Sequence, residues 1–239
     1  MNNKKKVLDR KLKIAIFAGD NIFSYLMARK ILFFGAVDHI FLSKKTSGSI
    51  RSILKVFNKT SFNYFVYRSF IQILSRVFKK FSIEKYAKNS DIETSFLFNK
   101  NDFYKIKSQF DLSLAFNFDI IVPQEYLDNN SIGMINIHAS KLPKDKGISP
   151  VVWSYCRGEN IIFISYYFMD GSIDSGPLIR CDKIEIESSW SLFRTYCEVL
   201  NKSANIILKI VNEIKNNDNC VMHKEDYDTT DETYNSWPN

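Results

Sequence analysis

A chain of 239 residues, 45% hydrophobic and 25% charged, holds enough apolar material for one well-packed domain with a short appendage. Its formal net charge of +7 favours an anionic partner without naming one, and twenty Phe with twelve Tyr require a bulky core. Four cysteines (Cys156, Cys181, Cys197, Cys220) show neither metal-type spacing nor a C-x-x-C pair. That argues against a zinc site or a disulfide framework. With no signal peptide in view, it predicts reduced thiols in the cytoplasm. No apolar run reaches membrane-spanning length, so stable insertion in a bilayer is not expected.

In chain order, residues 1–11 carry Lys4, Lys5, Lys6, Arg10 and Lys11 ahead of any periodic pattern and read as a solvated terminus. Residues 13–20 (Lys-Ile-Ala-Ile-Phe-Ala-Gly-Asp) read as a buried first strand ending in a turn. Helical spacing follows over 21–34 through Ile22, Tyr25, Leu26, Ile31 and Leu32. A strand, a tight turn and a helix open an α/β unit. Gly19 stands without the G-x-G-x-x-G that cradles a dinucleotide pyrophosphate, which argues against a nicotinamide cofactor. Residues 38–43 form the expected second strand, with His39 structural or at the surface.

Residues 51–88 hold nine Lys/Arg against one acid, Glu84. Phe70, Leu74, Val77, Phe78 and Phe81 fall on one helical face, with Arg68, Arg76, Lys79 and Lys80 around it. Three readings compete. One is a basic amphipathic helix packed on the domain; another is a nucleotide-phosphate or membrane-surface patch. The third is a nucleic-acid face, for which no accompanying motif exists.

A third strand is expected over 93–98, an amphipathic helix over 100–109 and a fourth strand over 111–116. A short helix over 124–127 precedes the run that begins at Met134. The sequence then predicts a helix over 151–157 closed by Gly158, two β-rich runs over 161–169 and 177–187, and a long helix over 191–215. Residues 216–239 are acidic and turn-rich but end in Tyr-Asn-Ser-Trp-Pro before the final Asn, too aromatic for a purely disordered tail. The division is therefore a domain over 1–215 and a C-terminal segment over 216–239.

The chemistry concentrates in residues 134–150, Met-Ile-Asn-Ile-His-Ala-Ser-Lys-Leu-Pro-Lys-Asp-Lys-Gly-Ile-Ser-Pro. In an extended segment Asn136 and His138 share a face while Ile135 and Ile137 point the other way. A lone histidine is more often structural than catalytic. Here Asn136 shares its face, and Asp174 sits in the Gly-flanked loop 170–176. A carboxylate that accepts the imidazole N–H fixes its tautomer and stabilises the imidazolium. A carboxamide N–H can meet a developing oxyanion. No G-x-S-x-G elbow marks an activated nucleophile, so the set suits direct acyl transfer to an amine.

Asn136-Ile-His-Ala-Ser140, Leu142-Pro143, Gly147, Ser149-Pro150, Trp153, Gly158, Met169-Asp170 and Asp174-Ser-Gly176 together resemble the formyltransferase family. The likeness is close over about 111–180 and looser over 13–34. It departs from the family where Phe163-Ile-Ser165 replaces a common Gly-Val-Thr, and in the charge of 51–88. The resemblance implies a Rossmann-like α/β fold: a mostly parallel sheet flanked by helices, with Phe116 and Asn136 on adjacent strands. It implies a catalytic trio of Asn136, His138 and Asp174. It further implies a site for 10-formyltetrahydrofolate around Phe116, Asn117, Phe118, Ile120 and Pro123 and at Asp170, Gly171 and Ile173.

Within the family, the Ser149-Pro-Val-Val-Trp153 run and the aromatic-Pro tail are similar to the sugar N-formyltransferases. The implied substrate is a nucleotide-linked amino sugar, a dTDP-linked 4-amino-4,6-dideoxyhexose of surface polysaccharide (O-antigen) synthesis. Lys144 and Lys146 are placed to meet its diphosphate, with a merely solvated loop as the competing reading. The resemblance also implies a cytoplasmic homodimer with no nucleic-acid partner. A tRNA-formylating enzyme is the alternative within the family. A non-catalytic member that binds nucleotide sugar or membrane through 51–88 is the alternative outside catalysis.

Overall fold

The computed structural model describes residues 11–34, 37–44, 61–77, 82–216 and 231–236. Strand β1 (Ile14–Gly19) is buried along its whole length, as a strand covered on both faces must be. Its side chains alternate between two cores. Ile14, Ile16 and Ala18 meet helix α1 (Ile22–Phe33) and helix α6 (Leu192–Lys215) on one side. On the other, Ala15 and Phe17 enter an aromatic core with Phe41, Phe103, Phe110 and Tyr126. Phe17 stacks on Phe41 with ring centroids 4.6 Å apart and meets Tyr126 edge-on at 5.3 Å. The bulky core expected from the composition lies here.

Strands β2 (His39–Ser43), β3 (Glu93–Leu97), β4 (Leu112–Phe116) and β5 (Gly133–His138) join β1 in parallel. Strand β7 (Ile161–Phe168) then adds antiparallel to β5, and β8 (Leu178–Glu185) adds antiparallel to β7 at the sheet edge. The order is β3-β2-β1-β4-β5-β7-β8. The fold is therefore α/β with a mostly parallel, Rossmann-like sheet flanked by helices, and the strands that carry Phe116 and Asn136 are neighbours, as the resemblance implied, with Ala115 of β4 opposite Asn136 of β5. A two-residue strand β6 (Lys146–Gly147) pairs with β9 (Tyr234–Asn235) and ties the segment 231–236 to the loop after β5.

Local chemistry sets the helix ends. The Asn21 carboxamide caps α1 by accepting from Ser24 N–H at 3.0 Å, and Ser191 caps α6 the same way through Arg194 N–H at 3.3 Å. Helix α6 buries Val199, Leu200, Ala204, Ile207, Ile210, Val211 and Ile214, one stripe at helical spacing. Short helices α4 (Gln124–Asp128) and α5 (Pro150–Cys156) follow the expected positions, and Gly158 closes α5 at φ 69°.

Two expectations change. The segment after β3 is only a 3-10 turn, Lys100–Lys105, rather than a helix to residue 109. The Asn99 and Asp102 side chains close a reciprocal capping box that tightens this one turn, and Ile106 is already extended. In helix α2 (Phe62–Val77), Tyr64 and Ile71 make the buried face, whereas Phe70 is exposed. The side chains of Leu74 and Val77, and residues Phe78 and Phe81, lie outside the described residues. So do residues 1–10, Cys220 and Trp237-Pro238. No helix among the described residues is long and apolar enough to cross a membrane.

The strand order reverses beside β1, between β2 and β4, and there the chain is tightest. Gly19 N–H donates to the Asn117 carbonyl at 3.0 Å, and a Cβ on Gly19 would stand 2.6 Å from that oxygen. Gly19→Ala must therefore push two strand ends apart. We expect a loss of about 1–3 kcal/mol in urea unfolding. Gly158→Ala is the control, since no atom lies within 4 Å of its Cβ position and only the φ of 69° opposes it, about 1–2 kcal/mol.

Candidate active site

The reversal of strand order opens a crevice at the C-terminal ends of β1, β4 and β5, where open α/β sheets bind ligands. A cavity of about 1600 Å³ fills it. Asn136, His138 and Asp174 all line that cavity. The β5 pleat puts Asn136 and His138 on one side, and the loop after β7 returns Asp174 to them. Asp174 adopts a left-handed φ of 48°. Asn117 (φ 48°) and Ser149 (φ 56°) line the same cavity, so backbone strain gathers around it.

The histidine is held differently from the sequence expectation. His138 is buried, and its Nε2 lies 2.9 Å from the main-chain carbonyl of Asp145. A carbonyl only accepts, so Nε2 carries the hydrogen and Nδ1 is the nitrogen left for chemistry. The Asp174 carboxylate stands 3.8 Å from Nδ1. Asp145 therefore fixes the tautomer, and Asp174 is placed to pair with the imidazolium once Nδ1 takes a proton.

Asp174 is itself tightly held. Its Oδ2 accepts Gly147 N–H at 2.8 Å, and its Oδ1 accepts the Tyr167 hydroxyl at 2.7 Å. Tyr167 O in turn accepts from Asn136 Nδ2 at 2.6 Å. Behind His138, the Asp145 carboxylate takes a two-pronged contact from Arg157, at 3.1 Å from Nη1 and 2.6 Å from Nη2, and a third from Asn235 at 2.8 Å. Asp145 N–H donates to Thr233 Oγ1 at 2.8 Å. The 231–236 segment thus braces the loop that orients the imidazole. Ser165, where the family pattern has Thr, donates to the Ser140 carbonyl at 2.7 Å and accepts Leu142 N–H at 3.2 Å, pinning the start of that loop.

Of the residues expected around a folate, Phe116, Asn117, Phe118, Ile120 and Ile173 line the cavity. Pro123 instead caps helix α4, and Asp170 turns its carboxylate back to Ser172 N–H and the Ser175 hydroxyl. Gly171 lies against Gln124, where an added Cβ would sit 2.8 Å from its side-chain oxygen. None of these three lines the cavity.

Nor do the two expected lysines. Lys146 is buried with its ammonium on Glu232 at 2.8 Å, and Lys144 lines a separate, smaller cleft with Lys141 and Glu159. Among the described residues, the lysines that line the cavity are Lys44, Lys85 and Lys88, from the end of β2 and from helix α3 (Ile83–Lys88). Tyr64, Tyr67 and Ile71 of α2 add to the same wall. The Tyr64 hydroxyl bonds Ser149 Oγ at 2.7 Å. Burial pushes the Tyr67 phenol above its ordinary range. The carboxyl of Asp20, at the cavity edge, is also pushed up, first by the protein packed around it and then by Glu84, with Lys44 opposing.

Sequence reading missed Tyr167, Asp145, Arg157 and Lys44, whereas Lys85 and Lys88 belong to the 51–88 stretch for which a nucleotide-phosphate patch is one reading. A signal for Tyr167 was its place opposite Asn136, visible only once the β5–β7 register is known. Among the described residues, no three His, Cys, Asp or Glu side chains converge to hold a metal ion.

An imidazole with one free nitrogen, a carboxamide and a carboxylate in one cavity wall can move a proton and meet charge on a carbonyl oxygen. Residues 51–211, more than half of the chain, match the family described as Formyl transferase. The chain belongs to that family.

Among curated relatives, a methionyl-tRNA formyltransferase of Wolbachia sp. subsp. Drosophila simulans is 33% identical over 127 residues, 49% of this chain and 42% of that one. A GDP-perosamine N-formyltransferase of Brucella melitensis is 28% identical over 118 residues, 47% of this chain and 46% of that one. The chain thus spans less than half the length of these relatives. The same fold appears in the N-formyltransferase of Helicobacter canadensis, solved with folinic acid and dTDP-3-aminofucose. Its TM-score is 0.63 at 18% identity, covering 93% of this chain and 70% of that one.

Arg157→Ala would leave the nearly buried Asp145 carboxylate without its two-pronged partner. We expect a loss of about 2 kcal/mol in urea unfolding, more than a solvated surface ion pair supplies. A loss near zero would show that Asn235 and solvent suffice.

Proposed function

We propose that this chain transfers a formyl group from 10-formyltetrahydrofolate to the amine of a nucleotide-linked amino sugar. The class we favour is the dTDP-linked 4-amino-4,6-dideoxyhexoses of bacterial surface polysaccharides. The observation that carries this reading is the convergence of Asn136, His138 and Asp174 on a cavity whose walls differ in chemistry. Phe118 and Ile120 offer an apolar wall suited to a planar pterin, while Lys44, Lys85 and Lys88 offer cations suited to a diphosphate. At about 1600 Å³ the cavity exceeds the usual space for one small ligand, which fits a donor and an acceptor held together. The ligands named for the Helicobacter canadensis structure and the activity named for the Brucella melitensis relative support a folate donor and an amino-sugar acceptor. A cytoplasmic homodimer belongs to the same proposal and rests on the family resemblance.

Bound 10-formyltetrahydrofolate would supply the formyl carbon and a nitrogen leaving group. Asn136 meets the negative charge that grows on the formyl oxygen with a side-chain N–H. His138 Nδ1 takes the proton from the attacking amine as the new carbon–nitrogen bond forms. The imidazolium pairs with Asp174 at 3.8 Å and returns that proton to the folate nitrogen as the old carbon–nitrogen bond breaks. One bond forms, one breaks and one proton is relayed, so the protein ends as it began.

The test is a screen of dTDP- and GDP-linked amino sugars with formyl-folate, read by the mass gain of a formyl group. His138→Asn should still unfold cooperatively, with a small loss of thermal stability from the hydrogen bond to Asp145, and lose turnover by roughly 1000-fold or more, as loss of a proton-transfer group does. Turnover equal to the parent enzyme would overturn the assigned role. A second reading, formylation of an aminoacylated tRNA, draws on the higher identity to the methionyl-tRNA enzyme. Formyl transfer to methionyl-tRNA with none to any amino sugar would establish it instead. Ligand binding without transfer to either acceptor would favour a non-catalytic family member.

The lysine wall has its own signature. Lys85→Ala with Lys88→Ala should raise KM for the sugar nucleotide by roughly tenfold and leave kcat within about twofold, since uniform binding is lost. Lys146→Ala, whose ammonium is occupied by Glu232, should leave that KM near the parent value.

A further inference from the structure

Tyr167 and Tyr166 are adjacent in β7 and point to opposite faces. Tyr166 enters the main apolar core, and Tyr167 packs its ring against Leu142 and Leu178. The β7–β8 register shifts between these two residues, an irregularity of the kind that re-aims a side chain beside a site. Across the β5–β7 pair, Tyr167 lies directly opposite Asn136. Cross-strand partners share a face, so the hydroxyl reaches the carboxamide at 2.6 Å. It also reaches Asp174 at 2.7 Å.

A phenol has one hydrogen. The Asp174 carboxylate only accepts, so that hydrogen goes to Asp174 Oδ1, and the phenol oxygen must then accept from Asn136. Turning the carboxamide over would set two oxygens against one hydrogen and leave a half-buried acceptor unmatched. The arrangement therefore dictates that the nitrogen end of Asn136 faces Tyr167, with the second N–H of that nitrogen left for a reacting oxygen. It also holds the carboxylate whose other oxygen lies 3.8 Å from His138 Nδ1.

We propose that Tyr167 is a positioning residue of the transfer site, its hydroxyl setting the orientation of the Asn136 carboxamide and the seat of Asp174 together. The inference rests on the formyl-transfer reading for its kinetic consequence, but the orientation itself does not. Through this hydroxyl the group that meets the oxyanion and the group that pairs with the imidazolium form one unit. A shift of either moves the other.

The test uses the full chain. Tyr167→Phe keeps the ring in the Leu142–Leu178 cluster and removes only the hydroxyl. We expect kcat to fall roughly 10- to 100-fold, KM for both substrates to stay within about threefold, and the melting transition to remain cooperative. In an Asn136→Ala background the same change should cost clearly less than in the parent, because only its hold on Asp174 remains to be lost. Equal losses in both backgrounds would overturn the assignment to Asn136.

A second measurement needs no turnover. In ¹⁵N-labelled parent protein, the Asn136 side-chain amide protons are identified by their loss in Asn136→Ala. One of them should exchange with solvent more slowly than an exposed Asn amide, and Tyr167→Phe should abolish the difference. Fast exchange of both protons in the parent protein would end the proposal even if formyl transfer is confirmed. Slow exchange with no transfer to any acceptor would uphold the orientation while the functional reading fails.

Discussion

The site depends on one hydrogen bond, from His138 Nε2 to the main-chain carbonyl of Asp145. It decides which imidazole nitrogen is free. The carbonyl can be held there because Asp145 sits at φ 58°, a backbone state that costs free energy for a non-glycine residue and persists only when its surroundings over-determine it. Those surroundings are visible. Arg157 and Asn235 hold the carboxylate and Thr233 holds the N–H, so three residues from two other elements converge on one loop residue. Arg157 is the C-cap of α5, which follows the loop, and Thr233 and Asn235 come from the segment paired to it by β6 and β9. The imidazole is thus oriented by a brace that touches no reacting atom.

The charge of residues 51–88 acquires a place in the same picture. Tyr64, Tyr67 and Ile71 close one side of the cavity, and Lys85 and Lys88 stand at its edge. Over the described part of this stretch a helix packed on the domain and lysines lining the cavity occur together, so the first two readings of the sequence do not exclude each other. The exposed stripe Phe62, Val66, Phe70 and Ile73 lies on the remaining surface of α2. Helix α2 therefore spends one face on the cavity and leaves another outside.

Much of the frame was legible because parallel strands buried on both faces read as unbroken apolar runs. Residues 14–19 and 112–116 announced themselves that way, and the β5 alternation announced Asn136 and His138. Asp174 was legible from its Gly-flanked loop. What stayed hidden depends on pairing rather than pattern. Tyr167 looks like any core aromatic until the antiparallel register sets it against Asn136. Asp145 looks like a solvated loop acid until Arg157 and Asn235 arrive. Lys146 misleads for the opposite reason: its position in a Pro-Gly loop suggests exposure, but a two-residue strand and Glu232 bury it. The amphipathic pattern over 100–109 yields only a 3-10 turn because local capping at Asn99 and Asp102 wins over periodicity.

These contacts divide the cavity into parts of different stiffness. Every polar side chain proposed to face the reacting carbon is held by at least one partner of fixed geometry: His138 by a carbonyl, Asp174 by an amide and a phenol, Asn136 by that same phenol. The walls proposed to receive the ligands are built instead from exposed or half-exposed side chains: Lys85, Lys88, Ile120 and Ile173. Stabilising a transient charge gains most from groups that need not reorganise. Accepting a chosen ligand requires only that the walls match it in shape and charge. On the proposed function, the chemistry is set by hydrogen bonds between held side chains and the choice of acceptor by the rim. Changes of specificity should therefore arise in residues 61–88 and the loop after β4, without disturbing the Asn136–Tyr167–Asp174–His138 network.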